Sequence, residues 1–278
     1  MISTVLKSKE KDLENQILDS DLVSEDGLFV TEEEYWEKYY EHPYFNYEWN
    51  NGILEEKPVS DYINHEMYQW FVFILKLYFQ TYKVGKFVEH DFGFRLALPQ
   101  NALVRKPDLA VVLVNNPANL EQNDRSFRGT YDLCVELISD MTPKAIIRDT
   151  IGKKMEYETI GVKEYYILDA SYKHMAFYRR NQRGIFQPIK LIDDDILQSE
   201  VLKGFQFRVS DLFKQPSIEE LIEDKGYYDY VLPSFRRIKQ IAEEEKQLAE
   251  AALKIADTEK QRADRLAAKL RALGISVD

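Results

Sequence analysis

Cysteine is nearly absent: the chain of 278 residues has one, Cys134. That excludes a disulfide framework and a cysteine-based zinc site. It also sets a reducing cytoplasm as the expected home. Long apolar runs are missing too, and none reaches the ~18 residues that a membrane span needs. The opening segment MISTVLKSKEKDLENQ lacks the apolar stretch of a secretory signal, so none is expected. Glycine is sparse, and Gly52, Gly93 and Gly161 form no phosphate-cradling loop, Walker motif or dinucleotide signature. Ser139 has no His/Asp partner pattern, which removes a serine hydrolase from consideration.

What remains is a chain with 45% hydrophobic and 13% aromatic residues, enough for a real core. The net charge of −11 argues against a nucleic-acid partner only at first sight. Residues 1–60 carry 15 acidic and 5 basic side chains, whereas residues 91–180 carry 12 acidic and 13 basic ones. The acidity belongs to the N-terminal part, and the middle is neutral.

Residues 1–30 read as an acidic arm. Thr31, with Glu34 three residues on, opens a helix as a capping box, and Pro43 marks its end. Tyr44 to Lys57 alternates around Asn50-Asn51-Gly52, the pattern of two short strands and a tight turn. Asp61 to Tyr82 has helical periodicity, with Tyr62, His65, Tyr68, Phe71, Leu75 and Tyr78 on the expected apolar face. Phe87 to Leu98 reads as strand with a turn at Asp91 to Phe94. Pro107 to Val114, Tyr131 to Ile138 and Glu164 to Asp169 are short runs suited to strands buried on both faces. Thr142 to Ile160 is a helix stopped by Gly161, with Thr142 and Ser139 as loop hydroxyls at its start. His174 to Leu191 is a hairpin. The alternation predicts a mixed α/β sheet, with residues 214–234 as a linker. From Phe235 to Leu273 the composition is almost only Ala, Glu, Lys, Arg, Gln, Leu and Ile. Leu248, Ala252, Ile255, Leu266 and Leu273 form a heptad-like seam interrupted by Glu259, Arg262 and Lys269, the pattern of a helix that pairs with itself or a partner, or stays solvated.

Three charges do not belong in such a core. Asp108 starts one apolar strand, and Glu136 sits near the end of another. Burying an ionised carboxylate costs several kcal/mol unless it is paired or metal-bound. A divalent cation between the two relieves both, and an oxygen-only donor set favours Mg²⁺ or Mn²⁺. Asp149, Lys153 and Tyr157, spaced i, i+4, i+8, share one helical face. A lysine there can hold an attacking water and stabilise charge on a phosphate, with the adjacent Lys154 ranked second. Singly, each residue has a plainer reading: Asp108 as a turn cap, Glu136 facing water, Lys153 on a solvated face, Tyr157 as core packing. His65 reads first as a core histidine and second as a ligand.

Arg105-Lys106-Pro107-Asp108, then Val135-Glu136-Leu137-Ile138-Ser139, then Asp149-x3-Lys153-x3-Tyr157, then Gly161 to Asp169 resemble the Uma2 family of restriction-endonuclease-like proteins. This is the domain of unknown function 820 group, abundant in cyanobacteria. Tyr47-Glu48-x3-Gly52 and His65 match its opening pattern, and the alanine-rich tail resembles C-terminal helices on many members. The resemblance spans residues 31–213. It implies a PD-(D/E)xK nuclease fold, an α+β mixed sheet flanked by helices. Asp108 and Glu136 take the places of the two motif acids. The motif lysine would fall at position 138, which is Ile138, so the implied replacement is Lys153 from the following helix. Glu48 is an implied additional acid.

The expected function is therefore a Mg²⁺- or Mn²⁺-dependent endonuclease acting on DNA. It would leave 5′-phosphate and 3′-hydroxyl ends, with the Leu137 carbonyl assisting the two acids. Arg105, Lys106, Arg125, Arg128, Lys144 and Arg148 are candidate phosphate contacts. The rival expectation is an inactive nuclease-fold module that assembles or docks partners through the helix at 235–278. A homodimer, or the binding of a partner, through that helix is expected.

Overall fold

The computed structural model describes residues 23–138 and 142–273. The chain opens with α1 (Glu32–Glu34), continued by a wider π turn at Tyr35–Tyr39. Thr31 Oγ1 accepts from the Glu34 amide as expected, but the Glu34 carboxylate pairs with Lys38 at 2.9 Å. Strands β1 (Tyr47–Asn50) and β2 (Ile53–Glu56) follow, joined at Asn51 and Gly52, both at positive φ. These are the backbone angles of a tight hairpin turn, and Asn and Gly are the residues that tolerate them. Helix α2 (Tyr62–Thr81) starts at the Asp61 cap.

Next come β3 (Gly85–Glu89), β4 (Phe94–Ala97), β5 (Ala102–Arg105), β6 (Leu109–Leu113) and β7 (Leu133–Leu137). Helices α3 (Pro143–Ile147) and α4 (Lys153–Ile160) are joined by a π turn at Arg148–Gly152. Then follow β8 (Glu164–Leu168), β9 (Ala176–Arg180), β10 (Phe186–Pro188), β11 (Ile196–Gln198), β12 (Gln206–Arg208), α5 (Asp211–Lys214), α6 (Ile218–Glu223) and α7 (Pro233–Ala272).

The main sheet has the order β10-β9-β8-β7-β6-β3. Among the described strands only β7 and β8 pair in parallel, and α3–α4 is the crossover between them. A second sheet, β2-β1-β5-β4, is antiparallel. Side chains alternate across the main sheet. Leu109, Val111, Leu133, Val135 and Leu137 pack with α2, whereas Ala110, Val112, Cys134 and Ile167 pack with Tyr157 of α4. Both faces are covered, which explains the near-continuous apolar strands.

Several expectations change. The 87–98 stretch is two strands in different sheets, because the turn at 90–93 sends β4 back onto β5. Strand β5 and the β11–β12 hairpin carried no clear alternation and were not predicted. Residues 214–234 are no linker: Leu221, Ile222, Tyr227, Tyr230 and Val231 are buried in the α2-side core. Tyr62 and His65 lie on the exposed side of α2, and the buried polar residue there is Asn64, whose Oδ1 accepts from the Ala170 amide at 2.8 Å. Helix α7 runs 40 residues with no buried side chain. Among the described residues no helix is long and apolar enough to cross a membrane. The expected arm at 1–30 falls largely outside the described residues, as does Ser139.

Candidate active site

The alternation that builds the core also builds the site. In β6 the even-numbered residues face α4, and in β7 so do Cys134 and Glu136. Leu109 pairs with Val135. One step further along that antiparallel register sets Asp108 across from Glu136. Three contacts fix Asp108. Its Oδ2 accepts the Leu137 amide at 2.7 Å, its Oδ1 pairs with Lys57 Nζ at 2.8 Å, and its carbonyl accepts the Tyr68 hydroxyl of α2 at 2.8 Å. His90, at the turn after β3, stands 3.8 Å from the same carboxylate.

Lys153 arrives from the first turn of α4 and is fully buried. Its ammonium lies 2.8 Å from Glu136, 3.1 Å from Glu48 and 3.3 Å from Asp149. Tyr157, one turn on, donates its hydroxyl to the other Glu136 oxygen at 2.7 Å. The π turn before Lys153 is held from the sheet, where the Tyr165 hydroxyl donates to the Asp149 carbonyl at 2.7 Å. Such turns concentrate at functional positions.

The second sheet contributes Glu48, directly opposite Glu55 on the neighbouring strand. Two like charges face to face repel. Arg105 resolves the conflict: it contacts Glu48 at 3.1 Å and Glu55 at 2.5 Å, and binds Glu156 through two nitrogens at 2.7 Å. Glu48 thereby links the Arg105 cluster to Lys153.

Asp108, Glu136, Leu137, Asp149 and Lys153 line one cleft of about 270 Å³, together with Lys57, His65, His90 and Arg148. Burial alone would raise the Asp108 carboxyl, but Lys57 and the His90 contact outweigh it and hold the group well below the usual carboxylate range. Glu48 is likewise opposed by burial and held low by Lys153 and Arg105. Glu136 differs. Burial, joined by the Asp108 charge, outweighs Lys153 and pushes it up to about 7. Burial lowers Lys153, yet its three carboxylate neighbours leave it firmly protonated.

The placements sort the expected residues. Asp108, Glu136, Lys153, Glu48, Asp149 and Tyr157 come together. Lys154 does not: its ammonium sits over the Tyr178 ring, 4.4 Å from the centroid. His65 reaches the cleft from the exposed side of its helix rather than from a core face. Arg105 and Lys106 are no phosphate contacts, because both are buried among internal partners. Lys106 donates to the Tyr40 carbonyl at 2.6 Å and to Asn46 Oδ1 at 3.0 Å, and burial lowers its ammonium to about 8. Arg125 and Lys144 are exposed and paired with Glu41 and Asp26. Arg148 alone of that set lines the cleft. Lys57 and His90 were missed. Neither stands at a spacing that marks a ligand, and only the hairpin and the turn carry them to Asp108.

No curated protein matches the chain. A model of the family Uma2, described as "Putative restriction endonuclease", matches residues 32–210. Among solved structures, the chain is similar to a "putative nuclease belonging to DUF820" from Anabaena variabilis. The identity is 15%, the match covers 67% of this chain and 98% of that one, and the TM-score is 0.52. That likeness is one of fold.

Proposed function

The chain belongs to the Uma2 family, and from that premise we propose that it is a metal-dependent endonuclease that hydrolyses DNA phosphodiester bonds. The supporting observation is the convergence of Asp108, Glu136 and Lys153 on one cleft from three separate elements.

The donor set suits a hard divalent cation. It is made of oxygens, and Lys57 already stands 2.8 Å from Asp108 in the position of a neutralising charge. Asp108 and Glu136 would hold Mg²⁺ or Mn²⁺, which when bound supplies positive charge against both carboxylates and against charge growing on a phosphate. Within the protein, Lys153 keeps Glu136, Glu48 and Asp149 together despite their mutual repulsion. Tyr157 fixes the second Glu136 oxygen. Both hold the Glu136 carboxylate in place, and on this reading the Lys153 ammonium orients the attacking water as it rearranges around substrate. Arg148 and Lys57 line the cleft wall, and on this reading they would leave their internal partners to meet a phosphodiester.

A second reading has its own support: all four oxygens of Asp108 and Glu136 already accept hydrogen bonds from the protein. On that reading the chain is an inactive nuclease-fold module. The deciding experiment incubates purified protein with supercoiled plasmid and Mg²⁺ or Mn²⁺, beside Asp108→Ala and Lys153→Ala. Cation-dependent nicking lost in both variants supports the endonuclease. Folded wild-type protein that never nicks any nucleic acid supports the module.

A further inference from the structure

Helix α7 is an amphipathic rod. Among the described residues only its first turns touch the body: Arg236 stacks on Tyr228 at 3.8 Å and donates to the Tyr228 carbonyl at 2.6 Å, and Lys239 pairs with Glu223. Beyond that point Leu248, Ile255, Leu266 and Leu273 are each more than half exposed and fall on one stripe. A helix of this composition leaves such a stripe bare only at a cost in apolar exposure.

The charges within the stripe identify what covers it. Glu259 and Arg262 sit on the seam as neighbours, 3.8 Å apart within one chain. A second copy laid parallel and in register would set Glu259 against Glu259, Arg262 against Arg262 and Lys269 against Lys269. Like charges facing each other are strongly unfavourable. An antiparallel copy reverses this. With the two-fold axis midway between 259 and 262, Glu259 of each chain meets Arg262 of the other. The flanking layers then become Ile255 on Leu266 and Leu248 on Leu273, with Ala252 leaving room for the Lys269 stem. Shifting the pair by one heptad would press Glu259 against Ile255 in one direction and Arg262 against Leu266 in the other. One register therefore satisfies every layer, and an isologous two-fold pair needs only one such surface.

We infer that α7 is the dimerisation element of this protein, and that it pairs with a second copy antiparallel, centred between Glu259 and Arg262. The geometry separates the two bodies. At 1.5 Å per residue the two Pro233 positions lie about 80 Å apart, at opposite ends of the pair. The two clefts then act on separate sites, not on opposite strands of one site.

The test uses the full-length chain. Its only cysteine, Cys134, is buried, so introduced thiols report without background. Sedimentation should give a dimer. Leu248→Cys and Leu273→Cys proteins, mixed and oxidised, should cross-link to each other. Leu248→Cys alone should not, since its two copies lie roughly 35–40 Å apart in this register. Glu259→Lys should weaken the dimer about tenfold or more, and adding Arg262→Glu to the same chain should restore it. A monomer, efficient self-linking of Leu248→Cys, or a charge swap without restoration would each overturn the proposal. A cross-link between positions 248 and 266 instead would move the pair by one heptad and overturn the register. None of these readouts depends on cleavage, so their failure is separate from failure of the endonuclease reading.

Discussion

Lys153 reaches Glu136 across 17 residues of sequence and holds it at 2.8 Å. The position two residues after the glutamate, where the resemblance would put a lysine, is the fully buried Ile138. The ammonium is supplied from the crossover helix, and the strand position is given to packing. Replacing Lys153 with Met should abolish plasmid nicking, a loss of at least 10²-fold. It should also cost about 3–5 kcal/mol of stability, because buried carboxylates lose their shared partner. Urea unfolding beside a nicking assay separates the two effects. Asp108→Asn keeps the shape of the side chain and should lose nicking with a smaller stability change.

Lys57 occupies Asp108 Oδ1, the oxygen that the proposed divalent cation would need. Lys57→Met should therefore tighten Mn²⁺ binding by about tenfold, or ~1.4 kcal/mol, in calorimetric titration of the protein without nucleic acid. Nicking at saturating cation should fall. Unchanged cation affinity would show that the ammonium does not guard the carboxylate.

The raised Glu136 carboxyl makes stability depend on pH in an unusual direction. Its folded value, about 7, lies above its ordinary value of 4.5. Between those limits the folded protein keeps a proton that the unfolded chain has lost. Stability from this group is thus full below about pH 4.5 and declines as pH rises to about 7, by up to roughly 3 kcal/mol. Melting curves of cation-free protein from pH 5 to 8 should show the decline, and Glu136→Gln should flatten it. A flat wild-type profile would remove Glu136 as the titrating group.

Arg105 is the counter-charge for Glu48, Glu55 and Glu156. Arg105→Met should destabilise the fold by about 3–5 kcal/mol. Adding Glu48→Gln and Glu55→Gln should recover part of that loss. Full stability in the single variant would mean that the cluster does not support the fold.

The two acids of the cleft were legible because charge and apolar strand conflict openly: Asp108 and Glu136 are anomalies in any buried run, and Lys153 follows from helical spacing. Glu48 and Asp149 were harder, since an acid in a polar hairpin or a helix start is unremarkable until Arg105 and Lys153 are seen beside it. Lys57 and His90 gave no signal, because each reaches Asp108 through a turn whose direction no local pattern encodes. The reverse error has the same origin. Arg105 and Lys106 looked like surface cations, but β5 lacks clear alternation, and only pairing with β1 and β4 buries it. Residues 214–234 were misjudged because their apolar side chains are scattered among acids and glycine, and α2 gathers them into the core.

Strand parity places Asp108 and Glu136 on the face of the main sheet that carries α4. A period of two leaves no tolerance for indels. Deleting one amino acid between Leu133 and Glu136 would keep every neighbour's chemistry and still rotate the carboxylate beneath α2, among leucines and far from any ammonium. Point substitutions along β6 and β7 can thus pass where a one-residue length change in either strand should take the carboxylate out of the cleft.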